Sequence, residues 1–94
     1  MEETYRYHIK LRGRVQGVGF RAFVLRNAKV LGLTGWVRNV GYDQVETVAE
    51  GNIDVLRKFE EILRIGPSSS HVDKIVTEKE SASGEFNRFS VRYF

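Results

Sequence analysis

The sequence predicts an α+β sandwich in which two helices cover one face of a mostly antiparallel sheet. Several segments alternate apolar and polar residues, as half-buried strands do, and two segments carry apolar residues three and four positions apart, as amphipathic helices do. Their order along the 94 residues is β-α-β-β-α-β, with a short extra strand at the C-terminal end. A chain of this length fits one domain, which we place over residues 1–94.

The first half of the chain contains a strand, a loop and a helix. Residues 5–12 alternate strictly between apolar and polar side chains, which indicates a half-buried strand. A glycine-rich loop over residues 13–19 leads into a helix that ends at Gly32. The apolar residues of this helix recur at helical spacing: Phe20, Phe23, Val24, Ala28 and Leu31.

The other strands show the same alternation. Residues 35–39 and 45–49 predict the two strands of a hairpin, with a turn at 40–43. Residues 72–79 and 89–93 predict the last two strands.

The second helix has clear ends. Asn52 is its predicted N-cap, with Asp54 in the first turn, and the pair Gly66-Pro67 ends it. Its apolar stripe consists of Leu56, Phe59 and Leu63. The complete order of elements is that of a ferredoxin-like sandwich.

The charge is distributed unevenly along the chain. The net charge of +3 comes from 15 Lys and Arg against 12 Asp and Glu, but residues 5–42 hold eight basic residues and no acidic one. This stretch favours an anionic partner, such as a nucleic acid, a phosphate or an acidic metabolite. The absence of Cys excludes disulfides, a thiolate nucleophile and thiolate metal ligands. Without a long apolar run or a signal-peptide core, we expect a soluble cytoplasmic protein.

The glycine-rich loop is the strongest candidate for a binding site. Glycines allow a sharp turn between a strand and a helix, and the N–H groups at the start of a helix favour a phosphate-sized anion. The loop lacks the Lys-Ser or Lys-Thr of a nucleotide-binding P-loop and the third glycine of the dinucleotide fingerprint. From spacing alone, a tight turn with no ligand is equally compatible.

Two segments carry a resemblance to a known family. The segment Leu11–Arg21, with the sequence LRGRVQGVGFR, resembles the first signature of the acylphosphatase family, and GWVRN at Gly35–Asn39 resembles the second. The resemblance implies the same ferredoxin-like fold and hydrolysis of the carboxyl-phosphate anhydride bond of small acyl phosphates. It also implies that the reaction needs no cofactor and no metal ion.

The family's functional residues fall on specific positions of this chain. The resemblance implies that Arg21 holds the phosphoryl oxygens and that Asn39 positions the attacking water. It also implies that backbone N–H groups of one loop bind the phosphate: Val15, Gln16, Gly17, Val18, Gly19, Phe20 and Arg21. The expected partners are a small acyl phosphate as substrate and inorganic phosphate as product or competitive ligand. We expect a monomer that binds neither nucleic acid nor a membrane.

One position departs from the family's pattern. The hairpin turn after Asn39 usually ends in Gly, and here that position is Asp43. Since Asp tolerates the left-handed backbone region better than most residues, we expect the hairpin to form at some cost in free energy.

Other polar and aromatic residues suggest no chemistry. We expect His8 and His71 to be surface residues rather than metal ligands, and the run Ser68-Ser69-Ser70 to be a linker. We expect four acidic residues to lie on solvated faces of strands and helices: Glu46, Glu50, Glu60 and Glu61. We expect three aromatic residues to pack in the core: Trp36, Phe20 and Phe23.

Three alternatives to an enzyme remain open. RNA-recognition domains share the topology, but their stacking aromatics lie on exposed strands, whereas Phe20 and Phe23 begin a predicted helix. A non-catalytic or carbamoyl-phosphate-handling domain, like those found at the front of larger maturation proteins, would bind without turnover. A small ligand-sensing domain of the same fold would lack the pair Arg21 and Asn39.

Overall fold

The structure, a computed structural model, describes residues 3–93 and contains seven regular elements. Their order confirms the predicted β-α-β-β-α-β succession and the extra C-terminal strand. The elements are β1 (Thr4–Arg14), α1 (Phe20–Val30), β2 (Thr34–Val40), β3 (Gln44–Asn52), α2 (Ile53–Ile65), β4 (His71–Ser81) and β5 (Phe89–Arg92). No helix within residues 3–93 is both long and apolar enough to cross a membrane.

The five strands form one mixed sheet in the order β4-β1-β3-β2-β5. Strand β3 pairs antiparallel with both β1 and β2, so β1 and β2 run in the same direction. Strand β5 pairs parallel with β2 at the sheet edge. Therefore β1, β2 and β5 all end at the same side of the sheet.

Alternation along the strands separates a covered face from an open one. Tyr7, Ile9 and Leu11 of β1 are buried on the face that both helices cover. The predicted apolar stripes of both helices are confirmed, because their residues face this core. In α1 the buried residues are Phe20, Val24 and Ala28, and in α2 they are Leu56, Phe59 and Leu63. Phe23 and Leu31 are half-buried against the same core.

The ends of α2 follow the predicted signals. The Asn52 side chain accepts a hydrogen bond from the Asp54 backbone N–H at 2.9 Å, which caps the first turn. The helix ends at Ile65, immediately before Gly66 with its φ of 70°. The N-cap therefore fixes where β3 stops and the chain turns back across the sheet.

The prediction that Trp36 packs in the core is wrong. Trp36 alternates with the buried Val37, which places its ring on the open face of the sheet. There the guanidinium carbons of Arg38 and Arg92 lie 5.5 and 4.6 Å from its ring centroid. Cation–π contact explains how a large ring is accommodated on a face that no helix covers.

The prediction that Glu46 and Glu50 are solvated is also wrong, since they are only 7% and 5% exposed. Both lie on β3, where the sheet register sets basic residues of neighbouring strands beside them. Glu46 accepts hydrogen bonds from His8 and from Arg38. Burial raises its pKa, but these two partners outweigh that effect and the net shift is downward.

Glu50 connects the sheet to the loop that precedes β5. Its carboxylate accepts hydrogen bonds from the backbone N–H groups of Ser83 and Gly84, each at 2.9 Å, and from Arg6 Nε at 2.7 Å. Burial raises the Glu50 pKa, but these donors more than reverse it and lower the pKa to about 2. This interaction holds the approach to β5 against the sheet.

The expected strain at Asp43 is absent. Within residues 3–93 no residue other than glycine has a positive φ, and in the β2–β3 turn Gly41 carries it, with φ of 61°. Asp43 therefore does not need the left-handed conformation that its position suggested.

The Glu50 pKa predicts how stability changes with pH. Because the folded-state pKa of about 2 lies below the ordinary value of 4.5, this carboxylate stabilises the fold fully above about pH 4.5. That contribution is lost as the pH falls from 4.5 towards 2. Urea unfolding measured across this range should show a smaller loss of unfolding free energy with acidification in Glu50→Gln than in the wild type.

Glu61→Gln is the matched control, because Glu61 lies on the exposed face of α2. Its pH dependence should follow that of the wild type. Equal slopes for Glu50→Gln and the wild type would show that the buried carboxylate does not govern acid stability.

Candidate active site

Three strand ends meet at one side of the sheet and form a cleft. Because β1, β2 and β5 share a direction, their C-terminal ends bring together residue segments far apart in sequence. The loop after β1, the end of β2 and the residue after β5 all line this cleft, whose volume is about 310 Å³.

The loop after β1 is fixed at both of its ends. Gly13 has φ of 138°, and a Cβ there would lie 2.2 Å from the His71 carbonyl oxygen, so only glycine fits this close approach to β4. Val15 is fully buried and anchors the loop in the core. The Gln16 Nε2 group donates to the carbonyl oxygens of Val40, Gly41 and Gln44 at 2.9–3.2 Å. These bonds fasten the loop to the β2–β3 turn.

The start of α1 leaves its backbone donors free. Gly19 is the N-cap residue, with φ of 76°, and no side chain among residues 3–93 caps the helix. The first turn contains no acidic residue. Among residues 3–93, the N–H groups at positions 16–22 make no hydrogen bond to a protein acceptor. A loop and a helix start with unpaired N–H groups form a positive environment suited to an anion.

Arg21 lies at the second position of α1 and is half-buried. Within the described chain no carboxylate forms an ion pair with it. Its guanidinium carbon lies 5.0 Å from the centroid of the Tyr93 ring. The side chain thus keeps its charge uncompensated and its N–H donors available at the cleft.

Asn39 lies near the end of β2 on the helix-covered face. Its Oδ1 atom is buried and has no hydrogen-bond donor among residues 3–93. A buried acceptor without a partner costs free energy, typically about 1–3 kcal/mol. Such an atom in a cleft is available to a ligand or a water molecule.

The structure brings together most of the residues predicted from the sequence. The cleft is lined by Val15, Gln16, Gly17, Gly19, Phe20, Arg21 and Asn39, whereas Val18 does not line it. The cleft is also lined by four residues for which the sequence predicts no role: Ala22, Leu25, Val91 and Tyr93. The parallel pairing of β5 with β2 brings Val91 and Tyr93 there, and strand alternation alone does not reveal that pairing.

The residues expected to be inert are placed as follows. His8 contacts Glu46 on the open sheet face, and His71 lies 3.0 Å from the Asp73 carboxylate on the surface. Ser70 donates to the Pro67 carbonyl oxygen at 2.6 Å, which stabilises the turn after α2. None of these residues lines the cleft.

The basic stretch of the N-terminal half is partly neutralised by the fold. Arg6 pairs with Glu50 at 2.7 Å, and Arg38 pairs with Glu46 at 2.7 Å. Acidic residues of β3 therefore neutralise basic residues that have no acidic residue near them in the sequence. Arg21 stands apart from these pairs.

Comparison with known proteins identifies one family. A family model described as Acylphosphatase matches residues 7–91. The acylphosphatase of Syntrophotalea carbinolica is 44% identical over 88 residues, which cover 94% of this chain and 96% of that protein.

Solved structures are similar over nearly the whole chain. The crystal structure of acylphosphatase from Bacillus subtilis has a TM-score of 0.91 and 39% identity, covering 95% of this chain and 99% of that one. Full-length HypF, in a crystal structure of its phosphate- and nucleotide-bound form, has a TM-score of 0.83 and 28% identity; 98% of this chain matches 12% of that one. With the family model and the relatives in agreement over most of its length, the chain belongs to the acylphosphatase family.

Proposed function

We propose that this chain hydrolyses the carboxyl-phosphate anhydride bond of small acyl phosphates to a carboxylate and inorganic phosphate, without a metal ion. Membership of the family supports the reaction. The observation that carries the proposal is the buried Asn39 Oδ1 atom without a donor, in the same cleft as Arg21 and the free N–H groups of the loop. Together they offer an anion site with an unused acceptor beside it.

The phosphoryl group would bind at the start of α1. Backbone N–H groups from Val15 to Arg21 would donate to its oxygens, and the Arg21 guanidinium would add a forked contact. This assignment is supported by the absence of competing acceptors for residues 16–22 and of a carboxylate partner for Arg21 within the described chain. Because donors fixed in advance need not reorganise, they stabilise the charge that develops in the transition state.

Asn39 would position the attacking water. Its Oδ1 atom can accept one hydrogen from a water molecule, which leaves an oxygen lone pair free to face the phosphorus. An amide suits this role because it accepts a hydrogen bond without taking the proton at neutral pH. The water would then attack in line with the bond that breaks.

The reaction balances the bonds formed and broken without a general acid. A bond forms between the water oxygen and phosphorus, and the bond between phosphorus and the acyl oxygen breaks, its electron pair leaving with the carboxylate. Since a carboxylic acid has a pKa of about 4, this group departs without being protonated. One proton of the water stays on the attacking oxygen, and the other passes to another oxygen of the phosphate product. Catalysis then depends on positioning and charge stabilisation.

The lining of the cleft supports a reaction without a metal. Among residues 3–93, the lining includes no Asp, Glu, His or Cys, the side chains that usually bind catalytic metals. The positive charge that a metal would supply comes instead from Arg21 and the N–H groups.

Turnover of a synthetic acyl phosphate tests the proposal. Purified protein should hydrolyse benzoyl phosphate, followed by its absorbance, at an equal rate with and without a chelator. Inorganic phosphate should inhibit competitively, because it binds the same donors. Turnover no faster than the spontaneous reaction would refute the enzymatic function and favour binding alone, whereas loss of activity with a chelator would refute only the metal-free step.

Asn39→Ala should reduce kcat about 10²- to 10³-fold, the typical effect of losing one preorganised polar group. Phosphate inhibition should change little, because Asn39 is assigned to the water rather than the phosphoryl group. Asn87→Ala is the control, since Asn87 is exposed in the loop before β5 and outside the cleft. Near-native turnover in Asn39→Ala would contradict the assigned role.

Arg21→Lys should reduce kcat by a factor comparable to that of Asn39→Ala, because an ammonium cannot make the forked contact of a guanidinium. Here both kcat and phosphate affinity should fall. Arg26→Lys is the matched control on an exposed position of the same helix. If the two lysine variants had equal activity, Arg21 would not be the phosphate-binding arginine.

A further inference from the structure

We propose that Tyr93 is a positioning residue, which holds the Arg21 guanidinium at the cleft by stacking beneath it. This inference rests on the proposed function and adds a residue to it. Its geometric basis is the 5.0 Å distance between the Arg21 guanidinium carbon and the Tyr93 ring centroid, together with the presence of both residues in the cleft lining.

Arg21 needs such a contact because no other residue in the described part of the chain holds its guanidinium group. Among residues 3–93, the Arg21 side chain makes neither an ion pair nor a hydrogen bond. An arginine side chain has large rotamer freedom, and an unrestrained guanidinium occupies any one position for a small fraction of the time. A fixed phosphate site requires that this freedom be reduced before substrate binds.

The fold accounts for the position of the ring. Strand β5 pairs in parallel with β2, with Val37 opposite Val91 and Arg38 opposite Arg92. Continuing this register by one residue sets Tyr93 beside the end of β2, where Asn39 lies. Tyr93 also follows the alternation of Phe89 and Val91, which places it on the helix side of the sheet.

Stacking is compatible with the proposed phosphate contact. A cation held over an aromatic face is attracted by the electrons of the ring and uses none of its N–H groups for that contact. The five N–H donors of the guanidinium therefore remain available for phosphoryl oxygens. A carboxylate partner would instead occupy those donors and compete with the substrate.

Tyr93 is also poorly suited to a purely structural role. Its side chain is 78% exposed, and it lies beyond the last residue of β5. Removing the ring should therefore leave the core intact. Loss of stability and loss of positioning can be separated by experiment.

The first test is kinetic. Tyr93→Leu should raise KM for benzoyl phosphate and the inhibition constant of inorganic phosphate by about two- to fivefold, the range expected for an exposed cation–π contact. Tyr93→Phe keeps the ring and should stay close to the wild-type constants. Tyr42→Leu is the matched control, because Tyr42 is an 88% exposed tyrosine outside the cleft. Wild-type constants in Tyr93→Leu would overturn the proposal, and so would equal effects of the Leu and Phe variants.

The second test does not depend on activity. NMR relaxation of the Arg21 Nε–H group should show greater side-chain motion in Tyr93→Leu than in the wild type, Tyr93→Phe or Tyr42→Leu. Unchanged Arg21 motion would overturn the positioning role, even if the wild type is an active enzyme. A wild type without turnover but with this change in motion would refute the proposed function and leave the Arg21–Tyr93 contact standing.

Discussion

The antiparallel pairing of β3 with both β1 and β2 is the constraint on which the cleft depends. Hydrogen bonding to one shared neighbour forces β1 and β2 to run the same way, so the loop after β1 and Asn39 emerge at the same side. The parallel addition of β5 brings a third strand end to that place. Gln16 then fixes the loop to the adjacent turn through three carbonyl oxygens. Secondary structure alone would leave these groups unrelated in space.

Sequence periodicity predicted the elements and the covered face, because burial of one face imposes a period of two on strands and about 3.6 on helices. The two signatures predicted the cleft's main residues. Trp36 was misplaced because an aromatic residue in a strand can face either side. Glu46 and Glu50 were misjudged because their partners lie on neighbouring strands, and only the register reveals them. Tyr93 was missed for the same reason, since its proximity to Arg21 results from pairing between distant segments.

The open face of the sheet also explains the uneven charge of the sequence. Basic residues of β1 and β2 flank the acidic residues of β3, so cross-strand pairs join the two halves of the chain. Such pairs specify register as well as stability, because a shift by one residue would turn every partner to the other face. Arg21, on a helix and away from that ladder, keeps its charge for the cleft.

The pairing of Gly35 with Phe89 means that the cleft is closed by a contact between residues 54 positions apart in the sequence. Contacts between distant segments form slowly, because the intervening chain must lose its freedom first. Because β5 has only four residues, it forms few hydrogen bonds to the sheet that could hold it in place. The wall of the cleft formed by Val91 and Tyr93 should thus assemble late in folding and open early in local fluctuations. Assembly of the cleft is therefore tied to completion of the sheet.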